Sequence, residues 1–314
     1  MSRYLEWKKR ALLMASSVFW LPPGLPRDAV LGAYQFKGVG SEAVALSDLS
    51  GNGRDLTKIQ TTLHDGVTYP TWNTATGYYC RSGNNSDGTE EQPQIGGRKI
   101  STLNNDALNR SDIKAAVVCF ANMAMDWPAA SGTYPYTPSQ IDFGCLVSAG
   151  GSSGYAQLYG CITYYEFSGY DGDEQVHQWI SRETPGLISR GAPLGGAAKW
   201  GYSTVSLKGA NNKASGVVGG NFASETTRGT LFVNGIQTAM EEKSTHCWMI
   251  GSTSQWNPPA QGYTFGSSHA SKTNGGNIAS SGCVASKYLI AAAFYNCHLT
   301  AEQHQAVADA MRAI

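Results

Sequence analysis

Residues 171–174 read Asp-Gly-Asp-Glu, three carboxylates in four positions. On a strand, Asp171 and Asp173 would share a face, and two carboxyl groups about 5 Å apart can divide the acid and nucleophile roles of glycoside hydrolysis. The neighbours argue against this. Gly169, Tyr170 and Gly172 mark a turn, so the carboxylates read as solvated turn residues, and a calcium loop would need more converging oxygens than this fragment supplies. Residues 150–154 (GGSSG) have the outline of a nucleophile elbow, which needs a strand-to-helix turn to lift its serine. A strand pattern follows instead. The six histidines, at 64, 177, 246, 269, 298 and 304, lack metal-ligand spacing. His298 and His304 flank the start of the last helix and read as partners for backbone groups. No catalytic residue, metal or cofactor is expected.

The sequence does offer aromatic rings. Trp and Tyr present flat apolar faces with a polar handle, suited to stacking on a sugar or on another protein. Trp179, Trp256 and Tyr263, with Asp171, Asp173 and Asn257 close in sequence, form the expected glycan-binding set. The competing reading is that these rings pack against one another or against a neighbouring subunit.

These rings lie in two of three long segments, 126–140, 168–199 and 252–276, each longer than a hairpin needs. Long loops on a β scaffold are where recognition concentrates. Strands are expected at 31–36, 68–73, 77–81, 112–122, 143–149, 155–165, 202–208, 214–219, 248–251 and 288–295, and a loop at 84–97. Asn234-Gly235 signals a type I′ hairpin turn within 230–236. In 50–53 (SGNG) the glycines and Asn52 suit positive φ.

Composition agrees with an all-β chain. Of 314 residues, 41% are apolar and only 15% charged, with 37 glycines and 16 tyrosines. Formal net charge is zero, so a nucleic-acid partner is not expected. Seven cysteines without CxxC spacing read mainly as small buried hydrophobes of a reducing compartment, with one disulfide pair left open.

At the N-terminus, Lys8, Lys9 and Arg10 precede an apolar run, 11–20, in the outline of a signal peptide. Glu6, Tyr4 and Trp7 lie ahead of the basic cluster and no small-x-small site follows it. The run is also too short to span a bilayer. The expectation is a docking helix over 3–19, stopped by Pro22, Pro23 and Gly24. Residues 1–26 then form the docking helix and linker, and 27–314 one domain.

The end of the chain is the most ordered pattern. Residues 288–295 are apolar on both faces, as a covered strand should be. Thr300 and Gln303 have capping-box spacing, and Val307, Ala310, Met311 and Ile314 place one apolar stripe on the helix that follows.

The strings VLGAYQF (30–36), SDLSGNGRDL (47–56) and LFVNG (231–235), with that closing strand and helix, resemble laminin-G-like, concanavalin A-like domains. The resemblance implies an antiparallel β-sandwich jelly roll with short N- and C-terminal helices, whose first and last strands are neighbours. The opening, through YPTWNTATGYY (69–79), is similar to segments of bacteriophage tail, fibre and capsid-decorating proteins. It implies a non-enzymatic virion protein made in a bacterial cytoplasm. The N-terminal helix would meet other virion proteins, the sandwich would bind host glycan or stabilise the particle, and the chain would form a homo-oligomer. A free carbohydrate-active enzyme and a cellular lectin or adhesin are the alternatives.

Overall fold

The computed structural model describes residues 20–62, 66–80, 82–83, 98–100, 102–109, 113–125, 143–149, 156–162, 186–189, 199–203, 205, 207, 209, 213–222, 229–243, 261–265, 277–278 and 285–314. Two eight-stranded antiparallel sheets dominate. The strands of the first sheet are Val30–Gln35 (β1), Thr71–Asn73 (β2), Gly77–Cys80 (β3), Ala115–Met125 (β4), Ala214–Asn221 (β5), Thr230–Val233 (β6), Ile236–Thr238 (β7) and Ala285–Tyr295 (β8). Their order across the sheet is β7-β6-β5-β4-β8-β3-β2, and β1 also pairs with β8. First and last strands are therefore neighbours, with Val30 opposite Tyr295 and Gln35 opposite Ala291.

β8 is central because both its faces are apolar. Leu289, Ala292 and Phe294 enter one buried cluster with Tyr34, Phe36, Tyr78 and Phe120. Ala291, Ala293 and Tyr295 enter a second with Val117, Val217 and the terminal helix. A register shift between Cys119 and Phe120 moves Ile290 off the simple alternation. Strand Ala156–Ile162 of the second sheet lies against β5, so the first cluster fills the interior of a sandwich. On the opposite, outer face lies the C-terminal helix, over β4, β5 and β7.

The expected local devices are present. The terminal helix spans Ala301–Arg312, and its capping box closes with Gln303 N–H to Thr300 Oγ1 at 3.3 Å and Thr300 N–H to Gln303 Oε1 at 2.9 Å. Asn234 and Gly235 sit at φ +52° and +85°, the left-handed pair that a type I′ turn requires. The 48–55 turn is tied into β1: Asp48 accepts the backbone N–H groups of Ala33, Ser50 and Arg54 at 3.1, 2.9 and 3.1 Å, and Asn52 donates to Val30 O at 2.8 Å. A buried carboxylate holding three backbone donors is a structural clamp. A short helix absent from the sequence reading, Glu42–Leu46, lies between β1 and this turn, and Glu42 accepts from Lys58 at 2.9 Å and from the Tyr78 hydroxyl at 3.1 Å.

Two expectations are corrected. Segment 168–199, read as a long loop, contains strand Gly186–Ser189, and segment 252–276 contains strand Gln261–Phe265. Both are short, and each is paired on both sides: Gly186–Ser189 between Ala156–Ile162 and Lys199–Ser203, and Gln261–Phe265 between Phe143–Ala149 and Thr102–Asn109. Neighbouring strands supply what their own alternation lacks. The strand expected at 202–208 is Lys199–Ser203. The N-terminal helix, the 248–251 strand, the 84–97 loop and the 126–140 segment lie outside the described residues.

Candidate functional site

Of the six residues expected to bind glycan, Asp171, Asp173, Trp179, Trp256 and Asn257 lie outside the described residues. Tyr263 lies on strand Gln261–Phe265, opposite Asn105, and belongs to the second sheet rather than to a loop. Among the described residues no three His, Cys, Asp or Glu side chains gather as metal ligands would. No helix among them is long and apolar enough to cross a membrane. Cys80 and Cys119 are free and buried, and burial pushes both thiols up to about 12, far from a reactive thiolate.

The described chemistry is concentrated on the outer face of the first sheet, where residues 20–29 meet the end of the chain. Trp20 is buried there in a left-handed conformation, φ +50°. Its indole N–H donates to Tyr34 O at 3.0 Å, and the Tyr295 hydroxyl donates to its carbonyl at 2.6 Å. Two buried bonds hold a backbone conformation that a bulky residue rarely adopts alone. Gln303 donates to Pro23 O and Asn296 to Asp28 O, so the 20–29 segment is bonded to the end of the chain.

The helix is bonded to the sheet through Asn221. Its Oδ1 accepts from Leu299 N–H at 2.9 Å and faces His304 Nε2 at 3.2 Å, and its Nδ2 donates to Leu299 O at 2.9 Å and Thr230 Oγ1 at 3.0 Å. The His304 ring lies flat on Phe232 with centroids 3.7 Å apart, against Gly219, where a Cβ would come within 2.7 Å of Nδ1. His298 meets a backbone group as expected, Phe222 O at 2.8 Å. His304 does not, because its partner is a side-chain amide.

Burial, aided by the charge of His298, pushes the His304 imidazole down to about 3. The unfolded chain therefore takes up this proton near pH 6.5 and the folded chain only near 3. This contribution to stability is complete above pH 6.5 and shrinks as pH falls, by up to about 1.4 kcal/mol per pH unit. Between pH 7 and 4.5, urea unfolding of the wild type should lose roughly 2–3 kcal/mol that His304→Leu does not. Equal losses in both proteins would rule out His304 as the source.

Beyond the helix, three tyrosines cross the outer face. Tyr79 and Tyr288 stack with centroids 4.7 Å apart, and Tyr69 meets Tyr79 edge to face at 5.7 Å. Tyr79 and Tyr288 are half-buried. Their neighbours in sequence, Tyr78 and Leu289, point into the sandwich.

The sequence matches no protein-family model, and no characterised protein sequence matches it significantly. Solved structures align with it over most of its length at low similarity. A receptor-binding domain superposes with a TM-score of 0.45 at 7% identity, covering 91% of this chain and 51% of that one. A botulinum neurotoxin type C structure, from work on cell entry through two ganglioside molecules, gives 0.43 at 8%, covering 91% and 52%. The binding domain of botulinum neurotoxin DC in complex with SialylT gives 0.39 at 7%, covering 91% and 52%. The chain spans about half the length of the structures it matches. At these scores the likeness assigns no role to any residue.

The sequence reading missed the outer-face residues for identifiable reasons. Asn221 and His304 are 83 positions apart, and Trp20 and Tyr295 are 275 apart. A local signal existed only for the tyrosines, since Tyr79 and Tyr288 each alternate with inward residues on their strands.

Proposed function

We propose that this chain is a non-enzymatic bacteriophage virion protein, attached to the particle through residues 1–26, whose laminin-G-like sandwich binds host glycan or stabilises the particle surface. One observation carries this reading. The N-terminal segment enters the fold at Trp20, on the outer face of the first sheet, whereas the long aromatic segments run into or between strands of the second sheet. This supports a reading in which attachment and recognition fall on opposite layers. The Trp20 anchor gives the apolar 11–19 run a fixed point of departure, as a tether under load needs. Glycan recognition rests on Trp179, Trp256 and Tyr263 with Asp171, Asp173 and Asn257, since aromatic faces flanked by polar groups suit sugar rings.

The test is a mass-spectrometric inventory of purified particles from the producing culture, run for the full chain and for a variant lacking residues 2–19. The full chain should be present, and the truncated one, checked by circular dichroism to be folded, should be lost. A few copies per particle would mean a tail tip or fibre, and many a capsid decoration. Absence of the full chain from particles would sink the virion reading, and a glycan-binding screen would then separate a free lectin from an enzyme.

A further inference from the structure

His304 is 1% exposed beneath the C-terminal helix, and its two ring nitrogens have different surroundings. Nε2 faces Asn221 Oδ1, an atom fixed as an acceptor because it also takes the Leu299 N–H while Nδ2 donates to Leu299 O. Nε2 therefore carries the proton. Nδ1 is left as a bare lone pair, buried and without a hydrogen-bond partner among the described residues. It is turned to the backbone at Gly219, where a Cβ would come within 2.7 Å. A second proton there would bury a charge and a donor with no acceptor, so the ring takes it only by leaving.

The ring does not leave alone. His304, Val307, Ala308 and Met311 form the buried stripe of the helix, and lifting the first of them lifts the rest. Gln303 donates to Pro23 O at 3.1 Å, and Leu21 and Leu25 pack on the same outer cluster, so residues 21–25 lose their cover with the helix. Trp20 differs, because it is bonded to Tyr34 on β1 and Tyr295 on β8. The interior cluster of Tyr34, Phe36, Tyr78, Phe120 and Phe294 keeps its contacts.

No competing charge faces the ring among the described residues. Strands β4, β5, β6 and β7 and residues 20–26 carry no charged side chain. Their thiol, Cys119, and the Tyr295 hydroxyl of β8 are both raised by burial and stay neutral. His298, in the turn before the helix, opposes protonation of His304. On the helix itself, Glu302 is exposed and Asp309 is paired with Arg312.

We propose that the C-terminal helix and residues 21–25 form a latch that opens as one unit when His304 takes up a proton, uncovering the apolar outer face of β4, β5 and β8 while both sheets stay folded. The latch does not depend on the virion reading. In the open form the imidazole binds its proton near pH 6.5, in the closed form only near 3. Opening is therefore rare above pH 6.5 and grows as pH falls, by about 25-fold between pH 7 and pH 5.

Amide hydrogen exchange of the full chain tests this, with each rate divided by that of an unstructured peptide at the same pH. Amides of residues 305–312 should open together, at least about tenfold more often than those of β4 and β8. Their opening should rise about 25-fold from pH 7 to pH 5, while the Trp20 indole N–H follows the strands. In His304→Leu the rise should vanish although His298 is still present. Should that variant fail to fold, nitrogen-15 NMR of the wild-type ring decides, since closed His304 should stay in its neutral Nε2–H form from pH 7 to pH 5. A helix that opens equally at both pH values, or only together with the strands, would overturn the proposal. So would an unchanged rise in His304→Leu, or a closed ring that titrates near 6.5.

Discussion

Gly77→Ala should destabilise this protein by more than roughly 4 kcal/mol, while Gly53→Ala should cost only about 1–2 kcal/mol. Both glycines are left-handed, at φ +84° and +68°. Both substitutions therefore incur the strain of an L-residue in that region. The difference lies in their surroundings. A Cβ at Gly53 meets nothing within 4 Å, whereas one at Gly77 would lie 2.1 Å from the carbonyl oxygen of Leu289 and 3.5 Å from Phe36 Cβ. The carbonyl belongs to the backbone of β8 and cannot turn aside without breaking the β3–β8 ladder, where Leu289 pairs with Tyr78. Overpacking against backbone adds to the strain, for a total above roughly 4 kcal/mol, a large fraction of the stability of any domain. Urea unfolding followed by tryptophan fluorescence measures both. If Gly77→Ala unfolds within 1 kcal/mol of Gly53→Ala, the close approach of β3 to β8 is not as described.

Asn221→Ala should release the C-terminal helix from the sheet. The truncation strands Leu299 N–H, Leu299 C=O, Thr230 Oγ1 and His304 Nε2, all bonded to one amide in a buried position. Each stranded buried group costs about 1–3 kcal/mol, with some relief from entering water, so a loss of roughly 3–5 kcal/mol is expected. Hydrogen exchange locates it. Amides of residues 301–312 should lose protection first, while those of β4 and β8 keep theirs until global unfolding. Asn221→Asp keeps the acceptor but loses the donor pair and buries a charge, so it should not rescue the helix. A loss below about 1 kcal/mol, spread evenly over the chain, would mean that apolar packing of Val307, Ala308 and Met311 alone holds the helix.

Both substitutions act at positions whose importance no nearby residue announces. Gly77 looks like one more glycine in a glycine-rich chain, and Asn221 like the polar end of a strand. Trp20 is comparable: it closes an apolar run that resembles part of a leader, and its buried indole is visible only once Tyr34 and Tyr295 are beside it.

The sequence alone determined what depends on contacts a few residues apart. The Thr300–Gln303 capping box, the Asn234-Gly235 turn and the two-faced apolar pattern of 288–295 are each settled within one or two turns of chain, and each appears in the structure as expected. These were enough for an all-β sandwich closed by a helix. Tertiary structure decided the rest. Gly186–Ser189 and Gln261–Phe265 are strands because partners lie on both sides, a property of the sheet rather than of four or five residues. The bonding of residues 20–29 to the end of the chain, and the tyrosine strip beside them, depend on residues brought together from distant parts of the chain. Local propensity carries no information about such pairs, because burial and hydrogen-bond complementarity exist only after the sheet has formed.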